Sequence, residues 1–210
     1  MDAVTDREPL VRRGRRLEWF TILYNCLEGV VSLVAGFFAG SVSLVGFGLD
    51  SMIEVTSGVA LLWRLHRDNE RERERAERLS LRIVGACFFA LALYLTIDSA
   101  MTLLAREAPS RSLPGILIAA ASVVVMPLLA RAKRRVATNL RSGALEADAR
   151  QTDFCTYLSA ILLAGLLLNA VFGWWWADPI AALGMAPIIA KEGYDGWVGK
   201  ACHSCGTCCG

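Results

Sequence analysis

Asp50 and Glu54 stand four residues apart inside "SLVGFGLDSMIEV", a stretch that is otherwise apolar apart from its serines. On a helix that spacing puts both carboxylates on one face, one turn apart. Two like charges so placed repel each other unless protons or a cation lie between them. Paired oxygen ligands suit a divalent cation. Glu28 and Asp98 are further acids in apolar surroundings. An ionisable group at membrane depth costs roughly 3 kcal/mol or more unless compensated, so every one of these acids marks a candidate site. Lone acids can be satisfied by protonation or by neighbouring hydroxyls and amides. The pair has a reason of its own to hold an ion.

A second polar cluster lies in "EADARQTDFC", Glu146 to Cys155. On a helix Asp148, Gln151, Thr152 and Cys155 share a face, while Asp153 points roughly 140° away from Asp148. Alone the stretch reads as the charged start of a helix. Beside Asp50 and Glu54 it becomes the natural source of further ligands. A third cluster is Cys202, His203, Cys205, Cys208 and Cys209 in the closing "KACHSCGTCCG". Thiolates and one imidazole on a tether suit zinc, Cu(I) or cadmium. A tail without ligand and a lipid-attachment cysteine are the alternatives. Cys26, Cys87 and Cys155 fall singly in apolar segments, which is no disulfide framework.

The elements that must position these groups are membrane spans. Of 210 residues, 55% are hydrophobic, and the mean hydropathy is +0.44. Charge is segregated into the first 16 residues, the run Arg64 to Arg82 and the run Arg131 to Arg150. Six apolar runs are long enough, or nearly so, to cross about 30 Å of hydrocarbon. They cover about 17–38, 42–63, 83–105, 113–130 and 154–174, then a short run, 179–190, that must borrow its flanks to span. The fold class expected is all-α, a polytopic six-transmembrane-helix bundle. The N-terminal run carries no small-residue cleavage site and reads as a retained span. Residues 1–16 form a basic N-terminus, 17–195 the membrane domain and 196–210 a Cys/His-rich tail.

Orientation follows from Lys and Arg. The N-terminus holds 5, the second-to-third loop 7, the fourth-to-fifth loop 6 and the tail 2, so 20 of 22 lie on one side. That places both termini in the cytoplasm. "GWWW" at 173–176 then falls at the outer interface, where indoles prefer to lie. Asp50 and Glu54 fall near the midplane. "HRDNERERERAERLSLR" reads as a charged cytoplasmic connector, an ion-paired helix or a flexible loop. No phosphate loop, nucleophile motif or nucleic-acid signature is present. Arg- and Ala-rich composition leans toward a bacterial inner membrane.

"GSVSLVGFGLDSMIEV", "EADARQTD" and "WWADPIAALGMAPIIAKEG" together resemble the transmembrane domain of the cation diffusion facilitator family. The resemblance covers roughly residues 17–195. It implies a six-span exporter of a divalent metal cation, exchanging metal for protons and working as a homodimer. Asp50 and Glu54 match the family's second-span motif of two metal ligands four apart, with Glu in place of the usual Asp. The family's fifth span reads Ala-Asp, then His three residues on, then Asp four after that. From Ala147-Asp148 those positions fall on Gln151 and Cys155, a departure toward a mixed oxygen–sulfur site. Asp153 supplies a nearby acid in a different phase. The resemblance thus implies a metal site drawn from Asp50, Glu54, Asp148, Gln151, Asp153 and Cys155. The family often adds a cytoplasmic metal-binding domain, and here a Cys/His tail stands in that place.

The expected function is export of a divalent cation, zinc first, by proton antiport, with the tail capturing metal. The partners are the metal ion, protons, the lipid bilayer and a second copy of the chain, with no nucleic acid. No enzyme activity and no cofactor are expected. A non-transporting metal sensor or assembly partner on the same fold is the alternative, favoured by the two fifth-span departures.

Overall fold

The computed structural model describes residues 7–65, 70–140 and 143–198. Among the described residues there are six helices in chain order: α1 (Arg7–Ala39), α2 (Val42–Leu65), α3 (Glu70–Ala105), α4 (Leu113–Leu140), α5 (Gly143–Phe172) and α6 (Ala177–Val198). Among the described residues there is no strand. α1 to α5 are each long and apolar enough to cross a membrane. α6 falls below that hydropathy because Asp178, Lys191, Glu192 and Asp195 interrupt it. Its 22 residues still extend about 33 Å at 1.5 Å per residue.

Each helix runs past its apolar stretch on the side that carries the basic residues. α1 begins at Arg7, α3 at Glu70, and α4 continues to Leu140. Hydropathy registers only the length that lipid demands, whereas backbone hydrogen bonding continues wherever side chains favour helix. The charged connector is therefore helical from Glu70.

The opposite ends are stapled. α1 stops at Gly40, whose positive φ of 64° ends the helix. Ser41 caps α2, its Oγ accepting from the Leu44 amide at 3.2 Å. Asp178 at the start of α6 accepts from Ser41 Oγ at 2.6 Å, from the Val42 amide at 2.9 Å and from the Ser43 hydroxyl. Ser112 caps α4 in the same way through the Gly115 amide at 3.1 Å. Gly173 closes α5, and Trp174 stacks on Trp176 at 5.1 Å in the turn that follows.

α1 packs on α2 and α4, α4 on α5, and α3 on α6. Phe47, Leu95, Met126, Leu158, Leu162, Met185 and Ile189 fill the centre and are fully buried. α3 and α6 meet at two glycines: a Cβ on Gly85 would lie 2.8 Å from the Gly193 carbonyl oxygen. Small residues that let helix backbones touch are how membrane helices pack. Phe37, Phe38, Leu104, Leu113, Leu117 and Val171 lie exposed on the outside, an apolar surface fit for lipid.

Candidate metal site

Polar side chains are sparse in the bundle and gather along one seam between α1, α2, α4 and α5. Asp50 and Glu54 on α2 are both buried, each 3% exposed. From Val42 they lie about 12 and 18 Å along the helix. Their common face follows from the four-residue spacing. Asp50 has Glu54 and Glu28 as its principal charged neighbours.

On α5 the expected face is present. Asp148, Thr152, Cys155 and Ser159 are all buried. The Cys155 thiol and the Glu54 carboxylate are close enough to act on one another. Thr152 Oγ1 lies 3.2 Å from Glu54 Oε1, while Glu54 Oε2 is buried without a hydrogen-bond partner. Ser57 donates to Gln151 Oε1 at 3.1 Å, and the buried Gln151 Nε2 has no partner. Asp153 lies on another face, in an ion pair with Arg134 that is partly open to solvent.

Asp148 faces inward but toward a cation already present. Lys133 of α4 is completely buried, with Nζ 2.7 Å from Asp148 Oδ2 and 3.1 Å from Glu18 Oε2. Nζ also lies 3.3 Å from Thr152 Oγ1. Lysine is almost never fully buried unless paired, and here two acids on two helices pair with it.

Glu28 on α1 is buried one layer away. It accepts from Ser51 Oγ of α2 at 3.3 Å and from the Ser122 hydroxyl of α4. Tyr24 shares a hydrogen bond with Ser122 at 2.9 Å. Asn25, one turn from Glu28, is buried with both amide atoms unpartnered. The seam is thus a run of acids, hydroxyls and amides with a thiol and an ammonium. Among the described residues no three Asp, Glu, His or Cys side chains are arranged to hold a metal ion. The tail cluster Cys202, His203, Cys205, Cys208 and Cys209 lies outside the described residues.

Residues 19–196 match the family described as the cation efflux transmembrane domain. The chain belongs to the cation efflux family. It is 30% identical over 155 residues to an uncharacterized transporter of Synechocystis sp., covering 70% of this chain and 49% of that protein. It is 26% identical to the magnetosome protein MamB of Magnetospira sp. over 84% of this chain and 62% of that one. The cation-efflux pump FieF of Shewanella oneidensis is 23% identical, over 79% of this chain and 58% of the pump. The chain therefore spans about half to three fifths of the length of these relatives.

Two buried charged residues of this seam escape a reading by hydropathy. Lys133 counts among the cytoplasmic basic residues when charges are tallied by loop, and Glu18 sits in the polar approach to the first span. The signal for Lys133 was present in the period. It continues the buried face of α4 through Ser122, Met126, Leu129, Ala130, Lys133, Val136 and Ala137, spaced three and four apart.

Proposed function

We propose that this chain exports a divalent metal cation from the cytoplasm, with Asp50 and Glu54 as the ion's seat and α5 completing it. Cys155 and Gln151 are the α5 candidates whose side chains already stand at the α2 surface. Asp148 and Asp153 are the further candidates, each now paired with a basic residue. The observation that carries this reading is the bare Glu54 Oε2, buried beside Cys155. A carboxylate oxygen stripped of water and left without a donor is costly. A visiting cation or proton offsets that cost, and exchange between them is antiport.

Ion binding requires the carboxylates, and the thiol if it takes part, to be deprotonated, so affinity rises with pH. Protons arriving from outside then displace the metal outward. Zinc is the first candidate because a thiolate and carboxylates suit it. Both termini lie in the cytoplasm, the membrane is a bacterial plasma membrane and the working unit is a homodimer. Cys202, His203, Cys205, Cys208 and Cys209 capture metal at the cytoplasmic mouth and raise its local concentration.

Zinc flux into proteoliposomes under an imposed pH gradient tests the reading. Wild-type flux follows the gradient, and Asp50→Asn removes it. Removal of residues 202–210 slows flux at limiting zinc and leaves it unchanged at saturation. Gradient-independent leak, or equal flux through Asp50→Asn, overturns the reading.

A second reading is a sensor that binds metal without moving it. Gln151 and Cys155 in the fifth-span ligand positions favour it. It predicts pH-dependent binding with no flux of zinc, manganese, iron or cobalt.

A further inference from the structure

The buried ammonium of Lys133 has more acid around it than one charge can neutralise. Asp148 and Glu18 contact it, and Glu54 acts on it electrostatically from the next helix. Thr152 connects the two groups: its Oγ1 accepts from Lys133 and has Glu54 Oε1 in reach at 3.2 Å. Neither Glu18 oxygen, nor Asp148 Oδ2, has an aligned hydrogen bond. Charge alone thus holds these carboxylates to the ammonium, and the two acids also act electrostatically on one another. Four helices contribute: Glu18 from α1, Glu54 from α2, Lys133 from α4, Asp148 and Thr152 from α5. Lys133 lies about 30 Å along α4 from Leu113, at the cytoplasmic end of the seam.

We propose that Lys133 is a resident cation that occupies the inner end of the acid-lined seam and fixes how many acids are left for substrate. With the ammonium in place, Glu18 and Asp148 are engaged by it and Glu54 remains for the transported ion beside Asp50. Without it, Glu18 and Asp148 become two facing carboxylates on separate helices, buried and unneutralised. That is a second seat for a divalent cation. Lys133 is therefore a positioning residue that sets stoichiometry and affinity. The consequence for transport rests on Asp50 and Glu54 being the substrate's seat, whereas the ammonium's hold on Glu18 and Asp148 does not.

Manganese is the probe of choice, because carboxylates take it and the tail thiols do not favour it. Bound Mn(II) is counted by electron paramagnetic resonance on the full chain in detergent. Lys133→Met binds one ion more than wild type. The extra ion disappears in Lys133→Met/Glu18→Gln. Glu18→Gln alone acts with the opposite sign: the ammonium, released from one acid, turns toward Glu54 and weakens Mn(II) binding by about tenfold, the scale of one nearby charge. A merely structural lysine would weaken binding in every variant. If Lys133→Met does not purify folded, Lys133→Gln takes its place, its amide still able to reach Thr152. Equal counts in wild type and the Lys133 variant overturn the proposal, as does tighter binding in Glu18→Gln. Should wild type bind no Mn(II) and Lys133→Met bind one, the resident-cation role stands. The seat at Asp50 and Glu54 then fails for this ion.

Discussion

The α3–α6 pair and the α1–α2–α4–α5 seam solve opposite problems in one bundle. α3 and α6 approach through Gly85 and Gly193 and bury Phe88, Leu91, Leu95, Met185 and Ile189. The side chains that fill that contact are apolar. The seam buries Glu18, Glu28, Asp50, Glu54, Lys133 and Asp148, each of which costs free energy to desolvate. A bundle needing only stability would build all its contacts like the first. Concentrating these groups along the seam gives the two regions different expected signatures under mutation.

The largest separation is expected at Asp50. Asp50→Asn is nearly isosteric, so it lowers cation flux by about 100-fold or more, beyond what loss of a supporting contact to a metal site costs. Its thermal unfolding in detergent stays near wild type or rises, because a buried charge is gone. Flux comparable to wild type would erase the distinction between the two regions.

Gly193→Leu tests the other side. Its Cβ would stand 3.0 Å from the Gly85 carbonyl oxygen and 3.1 Å from Phe88 Cβ. Overpacking there costs about 2–3 kcal/mol, read as a lower unfolding temperature, with flux per folded molecule retained. A folded Gly193→Leu protein without flux would mean that the pair takes part in transport.

Asp178→Asn sharpens the comparison at the end of the bundle away from the basic residues, where α6 is tied to α2. An amide keeps one acceptor oxygen but loses charge-assisted bonds from Ser41, Ser43 and the Val42 amide. The expected loss is about 1–2 kcal/mol, measured by thermal unfolding, with the pH dependence of flux unchanged. Smallest of all is Arg134→Ala at the partly solvated pair with Asp153. Such pairs contribute at most about 1 kcal/mol, so unfolding should move little if at all.

Six helices, their order and the buried polar face of α5 were legible because each left a periodic trace. Asp50 and Glu54 announce themselves by standing in an apolar run. Asp148, Thr152 and Cys155 recur at helical spacing, and Asp153 was already out of phase. The pairing of Asp148 was not legible, since its partner comes from α4 and lies inside what reads as a basic loop. Helix termini were also hidden on the basic side. There, charged residues continue a helix that no longer needs to satisfy lipid. Long-range partners such as Glu28 with Ser122, or Ser57 with Gln151, depend on how α1 and α2 lie against α4 and α5. No local pattern encodes that.

The central claim is that Glu54 of α2 and Cys155 of α5 meet on one ion. Cadmium titration of purified protein tests it directly, with Cys202, Cys205, Cys208 and Cys209 replaced by serine and the thiolate-to-cadmium absorbance as the readout. The account predicts a saturable band that strengthens as pH rises. Cys155→Ser removes the band, and Glu54→Gln shifts it to much higher cadmium. A band that survives Cys155→Ser, or one indifferent to Glu54, would contradict the account and move the ion's seat elsewhere along the seam.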